Sequence, residues 1–161
     1  MEGVKINFVS KDFLKGKALF YTSIPYESLS SPLTILFTGE GIVSAGFYTS
    51  PKEFPKAFTD AKEKTLSKPL EEMSFYAAGT PFQHKVWQTL LQIPSGQTLS
   101  YQALAEKTGN IKAVRAVASA VANNRLCPFI PCHRVIHTNG ALGGFAYGSA
   151  LKKALLEKEK P

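Results

Sequence analysis

The chain is poor in the residues that usually staple or anchor a protein: among 161 residues there are two cysteines, one tryptophan and three histidines. No segment approaches the ~20 consecutive apolar residues that a bilayer-spanning helix needs. The amino terminus, Met1 to Lys5, has no apolar run of signal-peptide length, so a cytosol-like compartment is expected. There Cys127 and Cys132 stay as thiols, and a structural disulfide is the weaker reading. Their surroundings, Cys-x4-Cys-His-x3-His over residues 127–137, do not reproduce the paired-ligand spacing of small zinc modules. Residues 1–79 contain neither cysteine nor histidine, and no glycine-rich strand-to-helix nucleotide loop is present.

The composition, 44% apolar and 19% charged, is that of an ordinary soluble globular protein. The net charge of +7 is unevenly placed. Residues 1–79 hold nine Lys against nine acidic residues, whereas residues 80–161 hold ten Lys or Arg against three Glu. All histidines, both cysteines and the tryptophan lie in that basic half. The pattern points to a chemically active second domain that binds a polyanion; a basic surface with no partner is the alternative that charge alone leaves open.

In the first half, Val4–Val9, Lys17–Thr22, Leu33–Phe37 and Ile42–Tyr48 are short β-branched and aromatic runs separated by Gly, Ser and Pro turns, as strands would be. Near-helical spacing of Phe54, Ala57, Phe58, Ala61 and Leu66 predicts a helix within Lys52–Leu66. A boundary at Ala77-Ala78-Gly79 divides an α/β domain, residues 1–78, from a mainly helical one, residues 79–161. Thr80 caps a helix begun by Pro81, with Phe82, Val86, Trp87, Leu90 and Leu91 on its apolar face. Ser100 caps a second helix, Tyr101–Lys107, that stops at Gly109-Asn110. Ile111–Ala122 comes directly after it, giving the helix, turn, helix order used to present a recognition helix to DNA. This third helix is thin with alanine, and Lys112 and Arg115 project from it. A final amphipathic helix, Ser149–Lys160, turns Leu151, Leu155 and Leu156 inward.

The chemistry concentrates in Phe129-Ile130-Pro131-Cys132-His133-Arg134-Val135. A thiol beside an imidazole and a cation is placed to ionise, and volume filling explains neither His133 nor Arg134 in an apolar run. Cys127 has no comparable surroundings and is expected to be a core thiol.

Together, Pro131-Cys132-His133-Arg134-Val135, Thr80-Pro81-Phe82-Gln83-x2-Val86-Trp87, Ser100-Tyr101, Arg115-Ala116-Val117 and Asn124 resemble the O6-alkylguanine-DNA alkyltransferase family from about Gly79 onward. The resemblance implies a ribonuclease-H-like α/β domain before a winged-helix-like DNA-binding catalytic domain. It implies irreversible, single-turnover transfer of an alkyl group from O6-alkylguanine in DNA to Cys132, without cofactor or metal. His133 would be the base, directly or through one water, and Glu159 its orienter. Arg115 would fill the space left by a flipped nucleotide, on a minor-groove helix that also carries Lys112 and Ala116; Tyr101 would turn that nucleotide's phosphate. Asn124, Pro131, Arg134, Val135, Phe145 and Ala146 would line or support the pocket. The implied partner is double-stranded DNA containing O6-alkylguanine, bound by a monomer with no membrane contact. The implied location is the cytoplasm, at the nucleoid, or the nucleus in a eukaryote. Without the four-cysteine module of adaptive-response regulators, a stand-alone repair protein is expected.

One departure is visible. Phe145 stands where many relatives have a tyrosine thought to protonate the departing ring, and Ala146 where some have serine. Phe145 cannot donate, which leaves Tyr147 or the backbone N–H groups of the Gly140–Gly148 loop. Two rival functions remain in view. A lesion-binding alkyltransferase-like protein that performs no transfer usually has tryptophan at the nucleophile position, against which Cys132 stands. A cysteine hydrolase would use Cys132 and His133 but leaves the basic helix pair unexplained.

Overall fold

The computed structural model describes residues 4–27 and 29–161. The chain divides into two compact units, one formed by residues 1–79 with 125–129 and the other by residues 80–124 with 130–161. A single boundary near residue 79 does not provide for the short segment Arg125–Phe129, which joins the first unit.

The first unit is built on a six-stranded mixed sheet in the order β1-β6-β4-β3-β2-β5. Its strands are β1 (Ile6–Val9), β2 (Phe20–Ile24), β3 (Leu33–Phe37), β4 (Ile42–Gly46), β5 (Lys62–Glu63) and β6 (Phe75–Ala78). The β2-β3-β4 meander is antiparallel, while β1 and β4 flank β6 in parallel. All residues of β3 and β4 are buried, so these central strands read as continuous apolar runs rather than alternating ones. Leu36 and Val43 pack with Phe54 and Phe58 on one side. Arg125–Phe129 docks through its backbone, Ala45 N–H and the Ser44 hydroxyl both donating to the Arg125 carbonyl at 2.7 and 2.8 Å. The approach of the β3-β4 turn to the chain before β6 requires Gly41, where a Cβ would collide with the Ser74 carbonyl oxygen.

The helix expected within Lys52–Leu66 is absent. Its place is taken by two single 3-10 turns, Pro51–Glu53 and Lys56–Phe58, followed by β5. Pro55 has no N–H to give a helix and forces Phe54 to be extended, at φ −61° and ψ 143°. The spacing of Phe54 and Phe58 reported burial correctly, and the prolines decided the backbone.

The second unit contains the four α-helices, α1 (Pro81–Leu90), α2 (Tyr101–Lys107), α3 (Val114–Ala122) and α4 (Ser149–Lys158). Two short parallel strands, β7 (Leu99–Ser100) and β8 (Val135–Ile136), join the start of α2 to the chain after Cys132. Thr80 and Gln83 form a reciprocal capping box at the start of α1. Val86, Trp87 and Leu90 are buried, but Phe82 and Leu91 are 39% and 41% exposed, so the apolar face of α1 is narrower than expected. Ser100 caps α2. Asn110 then caps a 3-10 turn, Ile111–Ala113, before α3 begins, so the third helix is α-helical only from Val114. Val117, Ala120 and Val121 face the core, whereas Lys112, Arg115, Ala116 and Ser119 lie exposed on the outer side. In α4 Leu155 is buried, Leu151 and Leu156 are half-buried, and the residue turned fully inward is Lys152.

The buried Trp87 donates its indole N–H to the Ala120 carbonyl at 2.8 Å, tying α1 to α3. Trp87→Phe removes that donor and leaves a gap, and should cost about 1–3 kcal/mol. A lower urea midpoint at unchanged slope is the expected readout.

Candidate active site

The nucleophile candidate is set by a tight backbone turn. Pro131 has φ −80° and ψ 65°, and Cys132 N–H donates to the Ile130 carbonyl at 2.8 Å. These are the features of an inverse γ-turn, for which the proline ring presets φ. Asn124 Nδ2 donates to the same Ile130 carbonyl at 2.8 Å, so the end of α3 and the cysteine turn share one anchor. Cys132–Arg134 then form a 3-10 turn that leads into β8. Cys132 is in no disulfide and is 7% exposed, and His133 is 1% exposed.

One carboxylate organises the two residues next to the thiol. Glu159, at the C-cap of α4, accepts from His133 Nε2 at 2.8 Å through Oε1. Arg134 forks onto the same carboxylate, Nε to Oε2 at 3.0 Å and Nη2 to Oε1 at 2.8 Å. Its remaining arm, Nη1, donates to the Ile93 carbonyl at 2.6 Å. The loop from Ile93 ends against α4 at Gly96, which has φ +82° and where a Cβ would lie 2.8 Å from the Glu159 carbonyl oxygen. Burial alone would push the Glu159 carboxyl up, but the hydrogen bonds and charges of His133 and Arg134 together overcome it and hold it at about 2.

Because an ionised carboxylate only accepts, the His133 proton sits on Nε2 in the neutral ring, and Nδ1 is left as the basic nitrogen. That Nδ1 is buried and has no hydrogen-bond partner among the described residues. A buried polar atom of this kind costs free energy unless it serves an incoming group or a water.

Tyr101, first residue of α2, is half-buried. Burial, and secondarily the negative charge of Cys132, push its phenol up, so it stays neutral. Its ring lies 5.3 Å from that of His137. Val135 is buried in β8, Phe145 is half-buried with its ring 5.4 Å from Tyr147 and edge-on to it, and Ala146 is exposed. The structure therefore brings Cys132, His133, Arg134, Glu159 and Asn124 together through hydrogen bonds and the chain itself. Lys112, Arg115 and Ala116 form a separate exposed face.

The residue that sequence reasoning missed is Lys152. It is fully buried, and its ammonium donates to the Val135 carbonyl at 2.6 Å and to the carbonyls of Leu142 and Gly144. Burial lowers its pKa, while the negative charge of Cys132 acts the other way. Lys152, Leu155 and Glu159 follow i, i+3, i+7 spacing, so the stripe that carries Leu155 inward carries the lysine with it.

Since Glu159 has a lower pKa in the fold than the ~4.3 of an unfolded chain, its contribution to stability is complete above that value and is lost as the pH falls from about 4.5 towards 2. Glu159→Gln should flatten this part of the stability profile, as measured by urea midpoints at several pH values. An unchanged acid slope would contradict the assigned network.

A family profile described as 6-O-methylguanine DNA methyltransferase, DNA binding domain, matches residues 81–161. A methylated-DNA--protein-cysteine methyltransferase of Methanosarcina acetivorans is 34% identical over 148 residues, 83% of this chain and 95% of that protein. The protein of the same name from Kluyveromyces lactis is 52% identical over 85 residues, 53% of this chain. The chain spans 45% of that yeast protein and 23% of the bifunctional Ada protein of Escherichia coli, less than half the length of either. Among solved structures, Mycobacterium tuberculosis OGT in complex with DNA superposes with a TM-score of 0.75 at 30% identity, over 87% of this chain and 92% of that one. With its matched half holding the whole Cys132, His133 and Glu159 arrangement, the chain belongs to the 6-O-methylguanine DNA methyltransferase family.

Proposed function

We propose that this protein repairs DNA by direct reversal, taking the alkyl group of O6-alkylguanine irreversibly onto Cys132. The observation that carries this proposal is the hydrogen-bonded line from Glu159 to His133, whose buried Nδ1 has no hydrogen-bond partner among the described residues, on the residue next to a cysteine that is in no disulfide. Removing the thiol proton is the first step, and His133 Nδ1 accepts it directly or through one water. Glu159 orients the ring and compensates the imidazolium that forms, while Arg134 holds the carboxylate in place.

The thiolate sulfur then attacks the alkyl carbon in line. A C–S bond forms, the C–O6 bond breaks, and its electron pair stays on guanine, which recovers a proton. The product is an alkyl thioether, from which the cysteine thiolate is a poor leaving group towards water, so each molecule reacts once. The same residues would serve a hydrolase only with an acyl substrate, and the exposed Lys112, Arg115, Ala116 face would then have no task.

The target oxygen is out of reach inside a duplex, so the nucleotide is extruded, at a cost of a few kcal/mol. Arg115 takes the vacated space and Tyr101 turns the phosphate, with Lys112 and Ala116 against the minor groove. Such binding reads little sequence and weakens with salt. The thin outer face of α3 supports this close approach. We read the first unit as ribonuclease-H-like and the second as winged-helix-like, in a monomer that acts where its DNA is, the bacterial nucleoid or a nucleus. The rival function, lesion binding without transfer, is disfavoured by the nucleophile itself.

Cys132→Ala should abolish transfer yet keep affinity for duplex DNA containing O6-methylguanine within a few-fold, measured by gel shift; residual full activity would mean that the nucleophile is misassigned. Arg115→Ala should slow repair of duplex DNA at least about tenfold more than reaction with free O6-benzylguanine, because only the duplex demands extrusion. Equal losses on both substrates would rule out the extrusion role.

A further inference from the structure

His137 has no part in the chemistry above, yet the fold sets it beside the residue proposed to handle the DNA backbone. In the parallel pair of β7 and β8, Ser100 stands opposite Ile136. The next residue of each strand, Tyr101 and His137, therefore leave the pair side by side, with ring centres 5.3 Å apart. Tyr101 is half-buried and His137 is exposed. One edge of the imidazole lies against Gly143, where a Cβ would come within 2.9 Å of Nε2 and 3.1 Å of Cδ2. A side chain at that position would displace the ring.

The backbone under His137 is held as well. Its N–H donates to the Ala141 carbonyl at 2.8 Å, and its carbonyl accepts from the Gly140 N–H at 3.0 Å. Asn139 Oδ1 closes the turn by accepting from the Ala141 N–H at 3.0 Å. Although so firmly placed, the imidazole has no hydrogen-bond partner among the described residues, and the Tyr101 hydroxyl beside it has none either.

The charges around this pair are few. From α2 comes the Tyr101 phenol, kept neutral by burial and by the negative charge of Cys132. From α4 comes the Lys152 ammonium, 5.9 Å from the centre of the Tyr101 ring. The strands β7 and β8 and the loop from Thr138 to Ala146 carry no charged side chain. Among the described residues no carboxylate comes within ion-pair distance of His137. A protonated His137 thus finds no counter-charge in its own unit, and on a surface that receives DNA the group that supplies one is a backbone phosphate.

We propose that His137 is a second phosphate-binding residue, whose imidazolium takes the negative charge of the phosphate that Tyr101 turns, so that the hold on the extruded nucleotide tightens as the pH falls. This rests on the repair function proposed above and adds a proton-dependent contact to its DNA-handling step. The ring takes its proton from solvent and the phosphodiester keeps its single negative charge throughout. Imidazole is the side chain whose charge ordinarily changes between about pH 5 and pH 8. Binding at the lower pH accordingly releases more counterions than binding at the higher.

The test measures binding alone, with Cys132→Ala protein and duplex DNA containing O6-methylguanine, at about pH 5.5 and about pH 8. Raising the salt from about 50 to about 200 mM should weaken binding about threefold more at the lower pH, the share of one phosphate contact in the salt slope. Equal weakening at both pH values overturns the contact. With His137→Gln added, the slope should no longer depend on pH; a dependence that survives belongs to His84 or His133, which both proteins retain, and excludes His137. His137→Arg in the same background is a cation at either pH and should give the steeper slope at both. A slope that still changes with pH in that variant contradicts the proposal. Neutral methylphosphonates in place of the lesion nucleotide's phosphates should erase the difference between Cys132→Ala protein and its His137→Gln derivative. A difference that persists means that His137 acts through packing and not on a phosphate, which also overturns the contact. A pH-dependent slope that His137→Gln removes, in a protein whose unsubstituted form never accepts an alkyl group, would uphold the phosphate contact and sink the repair function instead.

Discussion

A single carboxylate holds the reactive half of this protein together. Glu159 comes from the C-cap of α4, whereas His133 and Arg134 lie 26 and 25 residues earlier. By accepting from both, it fixes the imidazole tautomer and closes the last helix onto the cysteine turn in one contact. Arg134 extends the tie to the loop after α1 through the Ile93 carbonyl. The opposed contributions to the Glu159 pKa show how tightly the group is built in: partial burial works against the charge, and two cationic or protonated neighbours outweigh it. A neutral side chain there would leave Arg134 half-buried without its counter-charge, a more costly state than losing an exposed ion pair.

The nucleophile depends on a second, smaller anchor. Pro131 sets the turn, and the Ile130 carbonyl receives both the Cys132 amide and the Asn124 side chain. Local backbone geometry thus places the sulfur, while side chains from the helices place the base and its orienter.

Much of the site was legible because its residues are polar where apolar ones would fill space more simply. His133 and Arg134 interrupt an apolar run, and family resemblance assigns their partner to Glu159, where the hydrogen bonds meet. Lys152 was hidden, since a lysine on a charged C-terminal helix resembles a solvated residue; only its phase with Leu155 and Glu159 marks it as inward. In the first unit the strands were readable from β-branched runs, although β6 reads as a boundary because Ala77-Ala78-Gly79 carries little β signal. The Lys52–Leu66 segment failed for a local reason. Aromatic spacing suits a helix, but Pro51 and Pro55 remove amides at the points where one would propagate. Docking of Arg125–Phe129 beside β4 is a long-range pairing that no local pattern announces.

The most direct test is a mass measurement. After incubation with a duplex oligonucleotide carrying one O6-methylguanine, intact-protein and peptide mass spectra should show one methyl group, on Cys132, and never more than one transfer per molecule. An unmodified protein that binds the duplex tightly, or a methyl group on any other residue, would contradict the account.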